Sequence, residues 1–316
     1  MAMNNTTNYG AHIWSPFSIK ENLQFAPCAG EDSKGISPER LSSLYKKGQL
    51  SDCSELIIQY LYELHYLTGH LIANCFIHPK APYSTRRFRK KGKNPYQREL
   101  QFLTHIGAVK QYCFVNVQGD RESSTIYTLT RGSRIWASKR FFGQSLFNLN
   151  QPRIFRLEPE VNKKHVGYSQ ILSQLSLNQF HIAMISNHIA EIERYKIETD
   201  AAVPYIYYKS RNDTKIYTIS IREYWNLSVI ESIFPLFLAD NNDNRKHYII
   251  IIIESMSAAE QLYEKMVYAR TIQSSNRIFL FIRDNATKYV EDPLKDELAH
   301  FIGYDWNSYE ICSLDV

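Results

Sequence analysis

From Asn94 to Gly132 the chain reads NPYQRELQFLTHIGAVKQYCFVNVQGDRESSTIYTLTRG, and the two halves of that stretch have different periods. Asn94 is a natural N-cap, Pro95 occupies the first helical position and Gln97 completes a capping box. Gly107 supplies a left-handed stop. Successive residues placed 100° apart put Tyr96, Leu100, Phe102, Leu103 and Ile106 on one side of a helix. Gln97, Arg98, Gln101, Thr104 and His105 fall on the other. That outward face is long, polar and basic, the inventory needed to read base edges in a major groove. The period then drops to two. Val109 to Val117 alternates, Gln118 to Ser124 turns around Gly119 and Asp120, and Thr125 to Thr130 returns. Arg131 and Gly132 close the hairpin before a helix carrying Ile135 and Trp136.

Upstream, Pro38 opens a short helix through Leu44 that Gly48 terminates. Asp52 and Glu55 are expected to cap a second helix with the stripe Leu56, Ile57, Tyr60, Leu61 and Leu64. Thr68 is the N-cap of a third, which buries Leu71, Ile72, Cys75 and Phe76. Three helices followed by a hairpin is the order of a winged helix-turn-helix, expected over residues 38–147. Residues 1–37 lack periodicity, contain Pro16, Pro27 and Gly30, and are expected to form an irregular arm or a loosely docked lead-in.

Downstream, the polar run Asn148 to Pro152 suggests a linker, taken as residues 148–163. A long helix over Val166 to Ala190 follows, with Ile171, Leu172, Leu175, Phe180, Ile182 and Ile185. Strands are expected at Tyr205 to Lys209 and Lys215 to Arg222, joined across Asn212 and Asp213. A helix (Asn226 to Leu238), a strand (His247 to Ile253), a helix (Ala258 to Ala269) and a strand (Arg277 to Arg283) come next. A helix near Asp296 to Ile302 and a strand near Tyr309 to Leu314 complete the set. This alternation predicts a mixed sheet covered on its faces over residues 164–316, as the all-apolar Ile249–Ile253 run requires. The fold class is therefore α+β, a winged helix followed by a three-layer α/β domain.

Among the 316 residues 44% are hydrophobic and 22% charged, ordinary globular chemistry. No apolar run reaches 18 residues, so no transmembrane helix is expected. The polar start carries no basic stretch before an apolar one and does not read as a signal peptide. Five scattered cysteines without framework spacing point to a reducing, cytoplasmic setting. The net charge of +5 hides an asymmetry: +9 over residues 1–160 and −4 over residues 161–316. Lys80 to Arg140 alone holds 14 basic against 3 acidic residues. A region that basic repels itself without a polyanion nearby, and duplex DNA is the first candidate partner. Arg86, Arg87, Arg89, Lys90, Lys91 and Lys93 crowd a loop before the Asn94 helix, with Tyr83 and Phe88 between them. Such a loop suits phosphate contacts, which need charge without exact geometry. Arg121 at the hairpin tip is placed to reach the backbone or the minor groove. The DNA-contacting set is these seven cations with Gln97, Arg98, Gln101 and His105.

Catalytic groups are sparse. Metal nucleases of the restriction-endonuclease fold place an acid near the second strand and an acid-x-Lys pair on the third. Asp200 precedes the Tyr205 strand, but Thr218-Ile219-Ser220-Ile221-Arg222-Glu223 holds no acid-x-Lys. An intact nuclease is therefore not expected, and Asp200 with Glu223 or Glu254 is the alternative metal set. His65, His70, Cys75 and His78 do not have finger or ribbon spacing. Neither GxGxxG, GxxxxGK[ST] nor GxSxG occurs, so no cofactor is expected.

Three segments resemble the replication-relaxation family of bacterial mobile-element proteins. They are Leu64 to Phe76 (LHYLTGHLIANCF), Leu103 to Val109 (LTHIGAV) and Tyr127 to Gly132 (YTLTRG). The resemblance implies a winged helix joined to a degenerate restriction-endonuclease-like domain. It also implies a DNA-binding accessory protein of a plasmid or conjugative element, acting in replication, transfer or transposition. Residues 164–316 would then dock other proteins of the nucleoprotein complex. The chain departs from the family in the long Ile77 to Lys93 loop, where a tight turn is usual.

Overall fold

The computed structural model describes residues 23–28, 35–77, 95–116, 118–120, 123–141, 168–188, 190–198, 203–222, 247–268 and 278–283. Within them the chain is mixed α+β, with seven helices and two sheets.

The first part is built from short, well-capped helices. In α1 (Pro38–Lys46) Ser37 Oγ accepts from Arg40 N at 3.2 Å, and Gly48 turns the chain away at φ +66°. In α2 (Asp52–Leu64) the cap is Ser51, whose Oγ accepts from Ser54 N at 3.1 Å. The expected Asp52/Glu55 box is therefore displaced by one residue, because a serine hydroxyl reaches the N3 amide better from Ser51. Glu55 instead pairs with Arg140 at 2.8 Å. A two-residue strand, β2 (Leu67–Thr68), leads into α3 (Gly69–Ile77), where Thr68 Oγ1 caps Leu71 N at 3.2 Å as its sequence position predicts. α4 spans Pro95–His105, and Gly107 ends it at φ +74°. Then come β3 (Val109–Val115), β4 (Ile126–Leu129) and α5 (Arg131–Arg140).

The first sheet has the order β1-β3-β4-β2, all antiparallel. Its edge strand β1 (Gln24–Pro27) corrects the expectation of a wholly irregular arm up to residue 37. Four residues ending in proline carry no readable alternation, and the strand exists because β3 offers it a ladder. Ile36 N donates to Gly107 O at 2.9 Å, and a Cβ on Gly132 would lie 1.9 Å from Ile36 O. Residue 132 has to be glycine for the lead-in to pass that close. The core beneath this sheet joins Leu41, Ile57, Leu61, Leu64, Leu71, Ile72 and Leu103, all essentially closed to solvent. Each such side chain contributes about 1.5–3 kcal/mol.

α6 (Tyr168–His188) belongs to both parts. Its Ile171, Leu172, Leu175 and Ile182 enter the first core, while Leu177, Phe180, Met184 and Ile185 pack on the second sheet. Asn178 Nδ2 donates to Leu64 O at 2.7 Å and Tyr66 O at 2.8 Å, satisfying the carbonyls where α2 ends. The second sheet has the order β5-β6-β7-β8-β9. β5 (Ile192–Glu198), β6 (Tyr205–Ser210) and β7 (Lys215–Ser220) form an antiparallel meander. β8 (His247–Ile253) and β9 (Ile278–Arg283) continue it in parallel, and α7 (Met256–Tyr268) lies between them in sequence. The Ile249–Ile253 run is buried on both faces, as its lack of alternation predicts. β5 is absent from the sequence reading. The expected linker 148–163, the Asn226–Leu238 and Asp296–Ile302 helices and the Tyr309–Leu314 strand lie outside the described residues.

Candidate nucleic-acid interface

α4 is held from behind and bare in front. Leu100 and Leu103 are buried, and Tyr96 stacks on Phe76 with centroids 6.1 Å apart. Glu99 accepts from Ser51 Oγ at 2.8 Å and from Ser54 Oγ at 2.5 Å, fixing the helix to the first turn of α2. Gln97, Arg98, Gln101 and His105 are exposed, spaced so that they form one stripe. Because Glu99, the one carboxylate of α4, is turned to the serines, the stripe carries no negative charge. Thr104 does not join it. Its hydroxyl donates to Leu100 O at 2.9 Å and accepts from Gln111 Nε2 at 3.2 Å, so the sequence placement of Thr104 on the open face is corrected. A threonine in mid-helix bonds its own preceding turn readily.

The hairpin beside α4 ends in a self-capped turn. Asn116 Oδ1 accepts from Gln118 N at 3.0 Å and Asp120 N at 2.9 Å, and Gly119 sits at φ +86°. Arg121 follows directly but lies outside the described residues, as do Arg86, Arg87, Arg89, Lys90, Lys91 and Lys93. The structure therefore brings together the helical members of the predicted set, Gln97, Arg98, Gln101 and His105.

The basic balance of this region overstates its surface charge. Arg134 is turned inward, donating from Nε to Leu129 O at 3.2 Å and from Nη2 to Thr128 Oγ1 at 2.8 Å. Burial holds its guanidinium below the usual arginine range. Arg140 is fixed by Glu55 and by the Tyr45 hydroxyl at 2.9 Å, with its guanidinium 5.0 Å above the Tyr45 ring.

Sequence reasoning missed a groove of about 770 Å³ between α1 and α5, where Lys46, Lys47, Lys139 and Arg140 gather over Trp136. The only signal was a basic pair at the end of each helix, which a helix macrodipole explains equally well.

Among the described residues no cluster of three or more His, Cys, Asp or Glu could hold a metal. Asp200 and Glu223 lie outside them, and Glu254 is half-buried at the end of β8. Burial, with Glu99 second, pushes the Cys53 thiol up to about 12, and burial pushes Cys75 higher still. Such thiols stay protonated and make poor nucleophiles or ligands. No described helix is long and apolar enough to cross a membrane. No family model, characterised protein or solved structure matches this chain.

Proposed function

We propose that the chain binds double-stranded DNA, with residues 38–147 acting as a winged helix-turn-helix and α4 entering the major groove. The observation that carries this reading is the carboxylate-free stripe Gln97, Arg98, Gln101 and His105 on a helix anchored from behind. Two amides and an arginine at helical spacing are the side chains that pair bidentately with adenine and guanine edges. The topology supports it: β2 lies between α2 and α3 in sequence and pairs with β4, the second strand of the hairpin that follows α4. In a winged helix that pairing closes the sheet beside the recognition helix. The basic balance of Lys80 to Arg140 supports a polyanionic partner.

With the segment resemblances, this makes the chain a DNA-binding accessory protein of a bacterial plasmid or conjugative element, acting in replication, transfer or transposition. Residues 164–316 then serve as a nuclease-like scaffold for other proteins of the complex. Their element order supports this: a helix, a three-stranded meander and parallel strands after it.

Sequencing the duplex fragments retained by the purified chain tests the reading. An enriched motif is expected, with Gln97→Ala or Gln101→Ala each relaxing it by about 1–3 kcal/mol, the discrimination that one bidentate base pairing supplies. Retention without any motif, or a motif unchanged in both variants, would sink it.

A further inference from the structure

We propose that the groove between α1 and α5 is a second duplex contact, gripping the sugar–phosphate backbone beside the segment read by α4. It rests on the reading of α4 as the recognition helix, and it adds a surface that reading does not use.

The groove has two basic walls. Lys46 and Lys47 come from the end of α1, Lys139 and Arg140 from the end of α5. The three lysines are exposed, and none of them forms an ion pair among the described residues. Ser42 and Ser43 add hydroxyl donors to the α1 wall. One carboxylate, Glu39, opposes them. It is held below the usual carboxylate range by its own backbone amide, then by the Ser37 hydroxyl, with Lys139 contributing least. It is thus engaged chiefly by the start of its own helix. Arg140 is immobilised by Glu55 and Tyr45, so its charge sits at a fixed place in the wall. Charges in two rows along an open trough suit a continuous chain of phosphates, which asks for charge at intervals without base-specific geometry.

The position relative to α4 favours the same duplex. Arg140 grips Glu55, one turn along α2 from Ser51, and Ser51 grips Glu99, the neighbour of exposed Arg98. The groove and the stripe are therefore both tied to a single helical turn, the N-terminal turn of α2, through residues one turn apart on that helix.

The experiment compares three full-length proteins on one duplex across a salt series: wild type, Lys46→Gln/Lys47→Gln/Lys139→Gln, and Gln97→Ala/Gln101→Ala. The lysine variant is expected to flatten the slope of log affinity against log salt by about 2–3, at about 0.9 per phosphate contact. Its sequence preference and thermal midpoint should stay those of wild type. The glutamine variant should keep the wild-type slope and lose preference. A lysine variant with an unchanged slope overturns the groove while leaving the α4 reading intact. A flattened slope together with an indifferent glutamine variant upholds the groove and overturns the α4 reading. No duplex binding by wild type overturns both.

Discussion

Along α6 every residue from Ile171 to Ile185 is buried, whereas α4 leaves Gln97, Arg98, Gln101 and His105 in solvent. Both helices are rich in amides and hydroxyls. In α6 these groups are enclosed and paired with the protein: Gln174 donates to Asn178, Asn178 to two carbonyls of the first part, and Ser220 to Ser176. His181 Nδ1 meets the Tyr208 hydroxyl at 2.8 Å. In α4 Glu99 and Thr104 are spent that way. Polar side chains on a helix therefore mean different things according to what surrounds them. Enclosed, they satisfy backbone that would otherwise be orphaned and tie two parts together. Bare and fixed from behind, they are available to a partner.

The largest test of this contrast is Asn178→Ala. It strips Tyr66 O and the Gln174 amide of a buried partner, while Leu64 O keeps the Tyr66 N–H, and should cost about 2–3 kcal/mol. Urea unfolding measures it, and a loss under about 1 kcal/mol would break the comparison.

Second in size is a pH effect in the core against which α4 is fastened. The Cys53 thiol is raised from 9.0 to about 12, first by burial and then by Glu99. A folded value above the unfolded one means stability fully present below about pH 9 and lost as pH climbs toward 12. Unfolding midpoints should fall more steeply above pH 9 in wild type than in Cys53→Ala; parallel curves would refute the linkage.

The smallest effects lie on α4 itself. Glu99→Ala should cost about 1 kcal/mol through the Ser51 and Ser54 bonds. Gln101→Ala should stay within about 0.5 kcal/mol. Equal losses in thermal unfolding would mean that the two faces of α4 are not energetically distinct.

Legibility followed locality. The capped helices, Gly107, the hairpin around Gly119 and the all-apolar β8 are written in neighbouring residues and could be read there. β5 was hidden because a bulge between Ile192 and Arg194 shifts its phase, so inward Ile192 and Tyr195 stand three apart instead of two. β1 and β2 are too short to show alternation and depend on partners far along the chain. The recognition stripe was legible because a single helix carries it, although the engagement of Thr104 needed Gln111 to be seen. The groove needed two helices about ninety residues apart, a juxtaposition that no window of sequence contains.

The placing of β1 also sets a timetable. Gln24–Pro27 pairs with Val109–Val115, and Ile36 is seated against Gly107 and Gly132. During synthesis at about 5–20 residues per second, the lead-in waits roughly 4–20 s for these partners to be made. Throughout that interval the α1–α3 helices can form from local contacts, while the strand that precedes them stays unpaired. Closure of the first sheet thus waits for residues 109–129 of the 316 to be made, and a pause just before residue 109 would lengthen the life of a chain whose first strand has nothing to join.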